Sequence, residues 1–277
     1  MPNSAAIISL TTFIYGLALV FYLAGGIFKK QLPARLGTGA MIAAGAGNAA
    51  GFLLRWVETY NMGYGYVPLS NLYESLIFFS LCVAGIFLFM ELKYKVGPIG
   101  IFASLCAFLA TAYASLPSVD SEIQPLIPAL QSNWLIAHVI TCFIGYAAFA
   151  IACGISIMYL MKSTASSPDT GAASSIPDSE TLDDLTHQMV TFGFLFLSIG
   201  IITGAVWAEQ AWGRYWGWDP KETWSLVTWL IYATLLHARF MRGWKGKKIA
   251  VLSCIGFAAV LFTYFGVNLL PGLHTYL

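Results

Sequence analysis

The sequence predicts an all-α membrane protein with about eight transmembrane helices, and three observations support this fold class. Of the 277 residues, 58% are hydrophobic and only 10% are charged, whereas soluble domains carry roughly 25% charged residues. The apolar residues form long stretches, each close to the about 20 residues that cross the hydrocarbon core of a bilayer. The sequence has no long alternation of apolar and polar residues, which argues against a membrane β-barrel.

Eight apolar stretches follow one another along the chain, and polar or turn-forming connections separate them. The connection at 162–186 is rich in Ser, Pro and Asp, a composition that predicts a flexible cytoplasmic linker. The sequence therefore predicts a single polytopic membrane domain over residues 1–277. The predicted spans lie at about 5–28, 36–54, 71–92, 99–116, 134–161, 187–207, 222–241 and 249–270.

The positions of Lys and Arg predict the orientation, because short loops rich in these residues stay on the cytoplasmic side of a membrane. One assignment of the connections places all but three of the 14 basic residues on the same face. The three exceptions, which we place on the outer face, are Arg55, Arg214 and Lys221. Both termini then also lie on the outer, non-cytoplasmic face. A net charge of +1 offers no basic surface for nucleic acid.

Two further groups of residues are expected to have structural roles. The five cysteines all fall inside apolar stretches without a C-x-x-C pair, so we expect them to pack between helices and to take no part in disulfide or thiol-exchange chemistry. Asn71 and Glu74, before the third span, are candidates for either a helix cap or a contact with an outer site. We favour the cap, because Asn is a common residue at the start of helices.

The four histidines lie at different depths in the predicted topology. His138 is near the outer end of the fifth span, and His274 lies just beyond the outer end of the eighth. His237 follows Trp224 by roughly 20 Å along a helix and so falls inside the bilayer. An ionisable side chain at this depth usually marks a site or a partner, and a hydrogen bond to a neighbouring helix is the alternative. We expect His187 to be a solvated residue at the cytoplasmic interface.

The connection at 207–224 contains five tryptophans and is predicted to face outward with the two outer histidines. This number exceeds what an interfacial aromatic belt requires. An aromatic wall, nearby cations and two imidazoles together suit one kind of ligand. This ligand is a flat apolar macrocycle that carries two carboxylates and a metal with two open axial positions. Haem fits this description. The candidate haem-binding residues of the connection are Trp207, Trp212, Arg214, Trp216, Trp218, Asp219, Lys221 and Trp224.

The expected roles of these residues follow from their chemistry. Arg214 and Lys221 suit haem propionates as partners. Asp219, in a turn-forming Asp-Pro pair, is expected to hold the shape of the loop by bonding an indole N–H or Arg214. His138 alone is more typical of a packed interfacial histidine, but its pairing with His274 favours two axial ligands to the metal.

The segment from Trp212 to Trp224 reads WGRYWGWDPKETW and fills every fixed position of the pattern W-G-x-x-W-x-W-D-x-x-E. It resembles the WWD signature of the haem-handling proteins of cytochrome c maturation. The flanking segments VPLSNLYESL and SLVTWLIYATLLHAR are also similar to this family. Eight predicted spans and the sequence WDPKE make the chain resemble the CcsA (ResC) subunit of the system II cytochrome c synthase over nearly its whole length.

This resemblance implies that the protein exports haem b and presents it on the outer face for thioether attachment to the C-x-x-C-H motifs of apocytochrome c. It implies that His138 and His274 are the axial ligands of haem held by the WWD loop. It also implies that His237 ligates a second haem within the membrane, with the other ligand supplied by a separate CcsB (ResB) partner subunit. A thiol-reducing, thioredoxin-like protein is expected nearby. The chain itself is expected in the bacterial cytoplasmic membrane, or alternatively in the thylakoid membrane.

The implied activity within the synthase complex is mainly the positioning of haem, because no side chain in the sequence stands out as a general acid or base. Whether the chain is itself an enzyme therefore stays open, and so do two other functions. A b-type electron-transfer subunit would usually supply histidine pairs within the bilayer, where only His237 is expected. A permease for another lipophilic anion would use the tryptophan-rich loop as a gate and carry no bound chromophore.

Overall fold

The computed structural model describes residues 3–164 and 176–270, and most of these residues are helical. Eight α helices and two short 3₁₀ helices follow one another, and no strand occurs in the described residues. The all-α fold predicted from the sequence is therefore confirmed. The α helices are α1 (Ser4–Phe28), α2 (Gln31–Asn61), α3 (Leu72–Tyr94), α4 (Ile99–Ala114), α5 (Asn133–Thr164), α6 (Ser179–Trp212), α7 (Pro220–Arg242) and α8 (Lys247–Tyr264).

Six of these helices are long and apolar enough to cross a membrane, and they are α1, α2, α3, α5, α6 and α8. Helix α4 is apolar but has only 16 residues. Helix α7 has 23 residues, but polar side chains such as Glu222, His237 and Arg239 reduce its hydropathy. The chain is thus a multi-pass membrane protein, and each predicted span corresponds to a helix.

The largest difference from the predicted boundaries is at the start of α6. This helix begins at Ser179, inside the segment 162–186 that we predicted to be a flexible linker. The described ends of that segment are helical, because 162–164 complete α5 and 179–186 begin α6. Asp178 caps α6 by accepting a hydrogen bond from the N–H of Thr181 at 2.8 Å, and the buried side chain of Asp183 pairs with Arg239. Residues 165–175 of the predicted linker lie outside the described residues.

The described helices divide into two compact units. The N-terminal unit contains α1–α4, and the C-terminal unit contains α5–α8. In the N-terminal unit, α1 and α3 each pack against α2 and α4. In the C-terminal unit, α5 and α7 each pack against α8, and both also contact α6. The sequence pattern, from which we predicted one domain over residues 1–277, carries no signal of this division.

In the N-terminal unit, Asn71 and Glu74 form the expected cap at the start of α3. The Asn71 side chain accepts a hydrogen bond from the N–H of Glu74 at 2.9 Å. The Glu74 carboxylate pairs with Arg55 of α2 at 2.9 Å, and both side chains are buried. Arg55 also donates to the backbone carbonyl oxygens of Ser121 and Glu122. The preferred role of Asn71 is thereby confirmed, and the ion pair fastens the connection after α4 to α2 and α3.

In the C-terminal unit, α5 and α6 approach each other closely because glycines line their contact. A Cβ atom added at Gly145 of α5 would lie 3.1 Å from the carbonyl oxygen of Gly193 of α6. A Cβ atom added at Gly200 of α6 would lie 2.5 Å from the Sγ atom of Cys142. Small residues of this kind let the backbones of membrane helices come together. The close approach brings backbone carbonyls of α6 within reach of side chains on α5.

Candidate functional site

The tryptophan-rich connection joins the end of α6 to the start of α7, and the local sequence fixes both ends. Gly213 follows the last residue of α6 with a φ of 72°, a left-handed conformation that glycine adopts without a steric penalty. Asp219 is the N-cap of α7, where its side chain accepts a hydrogen bond from the N–H of Lys221 at 2.9 Å. Pro220 occupies the first helical position, which needs no N–H donor. Asp219 therefore holds the shape of the loop through a backbone N–H of α7.

The His138 ring lies in the second turn of α5 and is held against α6. Its Nδ1 atom donates a hydrogen bond to the backbone carbonyl oxygen of Gly200 at 2.7 Å, since a carbonyl oxygen can only accept. A Cβ atom added at Gly204 would lie 2.6 Å from the same Nδ1 atom, so the ring rests directly on this glycine. A neutral imidazole with its proton on Nδ1 carries its lone pair on Nε2. This arrangement is typical of metal-ligating histidines, whose other ring nitrogen often donates to a backbone carbonyl.

Trp207 forms a wall beside His138. The two rings are nearly parallel, with centroids 6.2 Å apart and an interplanar angle of 12°. The indole of Trp207 is 3% exposed, and its Nε1 atom donates to the carbonyl oxygen of Ala129 at 2.8 Å. Trp212 packs edge-on against Trp207 at 4.8 Å. Trp207 is thus a fixed, buried support for the histidine, and Trp212 extends this aromatic cluster toward the loop.

The exposed aromatic surface of the connection comes from its middle. Trp218 is 68% exposed, and Tyr215, which is not among the predicted site residues, is 61% exposed. Trp216 packs edge-on against Trp218 with ring centroids 5.7 Å apart. A large indole that is exposed in a loop offers an apolar face to a ligand or a partner.

The two basic residues of the connection differ in their surroundings. Arg214 is exposed and makes no ion pair with a described residue, and its guanidinium group lies over Gly217, where a Cβ atom would be 2.7 Å away. Lys221 donates from Nζ to the Oδ1 atom of Asn268 at 3.3 Å. Asn268 belongs to the 3₁₀ helix Gly266–Leu269, so Lys221 links the loop to the segment that follows α8. His274 lies outside the described residues.

Trp224 differs from the other tryptophans of the connection because it packs on α8. Its ring centroid lies 4.2 Å from that of Phe262, and its carbonyl oxygen accepts a hydrogen bond from Thr263 at 3.2 Å. Trp224 therefore joins α7 to α8 within the C-terminal unit and contributes less to the exposed face of the loop.

His237 lies apart from the loop, on an exposed face of α7. Its neighbours at helical spacing on this face, Leu230, Thr234 and Met241, are also exposed. His237 makes no hydrogen bond with a described residue, so the predicted alternative of a bond to a neighbouring helix within the chain is not seen there. His187 is half-buried, and its ring contacts Phe240 edge-on at 5.2 Å.

The structure thus brings His138 together with Trp207 and Trp212, and it places the exposed indole and the exposed guanidinium in the loop that follows. Two residues of the site, Glu222 and Gly200, are not among those that we predicted from the sequence. The carboxylate of Glu222 accepts hydrogen bonds from the N–H groups of Gly217 and Asp219, and its signal in the sequence is its fixed position in the tryptophan-rich pattern. Gly200, which supplies its carbonyl oxygen to the histidine ring, has no comparable signal.

The fold and the site define a multi-pass helical membrane protein with a tryptophan-rich loop between two of its helices. A family described as cytochrome C assembly protein matches residues 69–274. The chain belongs to this family, in the group of the CcsA cytochrome c biogenesis proteins.

Relatives named cytochrome c biogenesis protein CcsA support this assignment. The protein from Chlorella vulgaris is 36% identical over 304 residues, which cover 98% of this chain and 93% of that protein. The protein from Microcystis aeruginosa is 38% identical over 312 residues, covering 94% and 93% of the two chains. The protein from Chlamydomonas reinhardtii is 43% identical over 237 residues, which cover 81% of this chain but only 63% of that longer protein.

A solved structure named cytochrome c heme lyase CcmF has a similar fold. The TM-score is 0.71 over 97% of this chain, and the sequence identity is 15%. The matched region spans 51% of the length of that chain. At this level of identity the likeness shows a shared fold.

Proposed function

We propose that this chain acts in cytochrome c assembly by holding haem at the outer face of the membrane and presenting it to apocytochrome c. The proposal depends mainly on the position of His138. Its Nδ1 atom donates a hydrogen bond to the carbonyl oxygen of Gly200, and its ring lies beside the tryptophan-rich loop. Membership of the cytochrome c assembly family supports it independently.

The described residues fit haem as a ligand. His138 would coordinate the iron through Nε2, because its Nδ1 proton is engaged by a carbonyl oxygen. His274 would supply the second axial ligand, as the resemblance implies. Arg214 offers an exposed guanidinium that no described carboxylate neutralises, which suits a propionate. Trp218 offers an exposed indole against which a flat macrocycle can pack. Lys221 is hydrogen-bonded to Asn268 and so is the less available of the two cations.

The proposed role of these residues is to position haem for its reaction with apocytochrome c. When bound, haem supplies the vinyl groups to which the two thiols of the C-x-x-C-H motif add. The hydrogen bond from Nδ1 to Gly200 orients the His138 ring, and the nearly parallel ring of Trp207 lies beside it. Holding one reactant in place makes its reaction with an incoming peptide nearly intramolecular, which contributes rate without a general acid or base. The thiols must be reduced, which implies a nearby thioredoxin-like protein as the source of electrons.

A second haem site is proposed around His237, on the route of haem through the membrane. An imidazole in a membrane helix that has no hydrogen bond within the described chain needs a partner from elsewhere. The exposed face of α7, with Leu230, Thr234 and Met241 around His237, suits a transmembrane helix of another subunit. We propose that a CcsB (ResB) type subunit covers this face and supplies the other axial ligand. The complex would lie in the bacterial cytoplasmic membrane, or alternatively in the thylakoid membrane.

The test purifies the chain with its partner subunit and compares the Soret spectra and the cytochrome c yields of histidine variants. His138→Ala and His274→Ala are expected to lose the bis-imidazole spectrum of the outer site and most cytochrome c, with partial rescue by added imidazole. His237→Ala is expected to lose the inner haem. His187→Ala is the control and should behave as the wild type. Unaltered cytochrome yields in both outer variants would reject the proposal.

The same measurements separate the alternatives. A b-type electron-transfer subunit would keep its haem in both outer variants and would change its redox activity in His237→Ala. A permease for another lipophilic anion would show no Soret band and would transport its substrate into liposomes.

A further inference from the structure

Trp218 has a backbone conformation that a bulky residue rarely adopts. Its φ is 57°, in the left-handed region, where contacts of Cβ with the backbone disfavour a non-glycine residue by roughly tenfold or more in population. Glycine would adopt this conformation readily, yet a tryptophan occupies the position. A conformation of this kind persists only where the surrounding structure imposes it.

One carboxylate oxygen of Glu222 is hydrogen-bonded to the residues on both sides of Trp218. The Oε2 atom accepts a hydrogen bond from the N–H of Gly217 at 2.7 Å and from the N–H of Asp219 at 3.1 Å, one on each side of Trp218. Hydrogen bonds to an ionised acceptor are about twice as strong as neutral ones. Thr223 also donates from Oγ1 to the carbonyl oxygen of Trp218 at 3.4 Å. The peptide unit that follows Trp218 is therefore held at both its N–H and its carbonyl oxygen, and the unit between Trp216 and Gly217 is held at its N–H. The indole of Trp218 stays 68% exposed.

A helix-capping role accounts for only half of this arrangement. In a capping box, the third residue of the helix accepts from the N–H of the N-cap residue, and the bond from Asp219 to Glu222 is of this kind. The bond from Gly217 comes from a residue before the N-cap, so the start of α7 does not need it. Its effect falls on the loop and on the direction of the indole.

We propose that Glu222 is a positioning residue that holds Trp218 in the left-handed conformation, so that the indole is presented as a docking face for the flat macrocycle. The identity of the ligand rests on the proposed function. The positioning itself rests only on the backbone conformation of Trp218, the two hydrogen bonds and the exposed indole.

The test labels the full chain with 5-fluorotryptophan and follows Trp218 by ¹⁹F NMR in detergent. The chain has nine tryptophans, so the Trp218 signal is identified as the one lost in Trp218→Phe. The wild-type signal should shift between H₂O and D₂O, as an exposed indole does. Glu222→Ala is expected to move or broaden this signal. Glu222→Gln keeps an oxygen that can accept both bonds and should preserve the wild-type spectrum.

The matched control is Glu209→Ala, which removes a carboxylate in the last turn of α6. This side chain makes no hydrogen bond with a described residue, so the Trp218 signal should stay in place. An unmoved signal in Glu222→Ala would overturn the positioning role, whatever the ligand of the loop.

Haem titration followed by the Soret band provides the second readout. Glu222→Ala and Trp218→Ala should each weaken haem binding by about fivefold to tenfold, and the double variant should lose no more than either single variant. Losses that multiply in the double variant would mean that Glu222 acts independently of Trp218, which contradicts the inference. A moved ¹⁹F signal with unchanged haem affinity would support the positioning role and refute the haem-binding function of the loop.

Discussion

Replacing Gly204 with alanine tests whether His138 must rest on α6 for haem to bind. An added Cβ atom would lie 2.6 Å from Nδ1 and 2.7 Å from Cε1 of the histidine. Ordinary contact begins near 3.4 Å, so the ring must move away by about 0.8 Å. The displaced Nδ1 atom is the one that donates to the carbonyl oxygen of Gly200 at 2.7 Å. The substitution therefore disturbs both the place of the ring and the hydrogen bond that sets its tautomer.

The expected effect on haem binding is larger than the effect on the fold. Loss of the hydrogen-bond partner of a metal-ligating histidine typically weakens metal binding by about 10-fold to 100-fold, and we expect a loss in this range. Overpacking costs about 1–3 kcal/mol of stability, while alanine in place of a helical glycine contributes about 1 kcal/mol. The net change in the free energy of unfolding should then be a loss of about 0–2 kcal/mol.

The assay is a haem titration of the purified complex, combined with thermal unfolding in detergent. Gly85→Ala is the matched control, because an added Cβ atom at this position in α3 meets nothing within 4 Å. This control should bind haem as the wild type does and unfold at the same or a slightly higher temperature. Wild-type haem affinity in Gly204→Ala would refute the reasoning, because the orientation of His138 would then not depend on its contact with α6.

The three ion pairs predict contrasting losses of stability, which thermal unfolding in detergent can measure. Glu74→Ala leaves the buried charge of Arg55 uncompensated and should cost about 3–5 kcal/mol, so a loss below about 1 kcal/mol would contradict the structural role of the pair. Asp183→Ala should be similarly costly, because this buried carboxylate pairs with Arg239 at 2.6 Å. Asp184→Ala should cost less than about 1 kcal/mol, since that carboxylate is mostly exposed, and equal losses in the two aspartate variants would count against this distinction.

The fold was largely predictable because its strongest determinants are local. Apolar stretches of sufficient length predicted all eight helices. The cap formed by Asn71 was also predicted, since Asn commonly begins helices and this one precedes an apolar segment. The start of α6 was not predicted, because it depends on a contact between residues far apart in the chain. Its acidic first turns resemble a solvated linker, and they become helical where Asp183 finds Arg239, 56 residues away in the chain.

The tryptophan-rich loop was predictable as a segment, but its internal geometry was not. The pattern of the loop identified its aromatic and charged residues. The carbonyl oxygen of Gly200 meets His138 only because two helices approach closely, and no local pattern encodes that distance. The left-handed conformation of Trp218 was also unexpected, because glycine is the usual residue there. The first feature depends on a contact between two helices, and the second accompanies local hydrogen bonds to Glu222 that the sequence pattern alone does not reveal.

The ion pair between α6 and α7 has a consequence for biosynthesis. Helix α7 is too polar to be counted with the six clear membrane spans, and Arg239 in its last turn has a mostly buried, charged side chain. Asp183 precedes Arg239 in the chain, so this carboxylate is available to pair with the arginine as soon as α7 has been synthesised. The pair therefore favours insertion of α6 and α7 as a helical hairpin, in which the earlier helix carries the counter-ion for the later one.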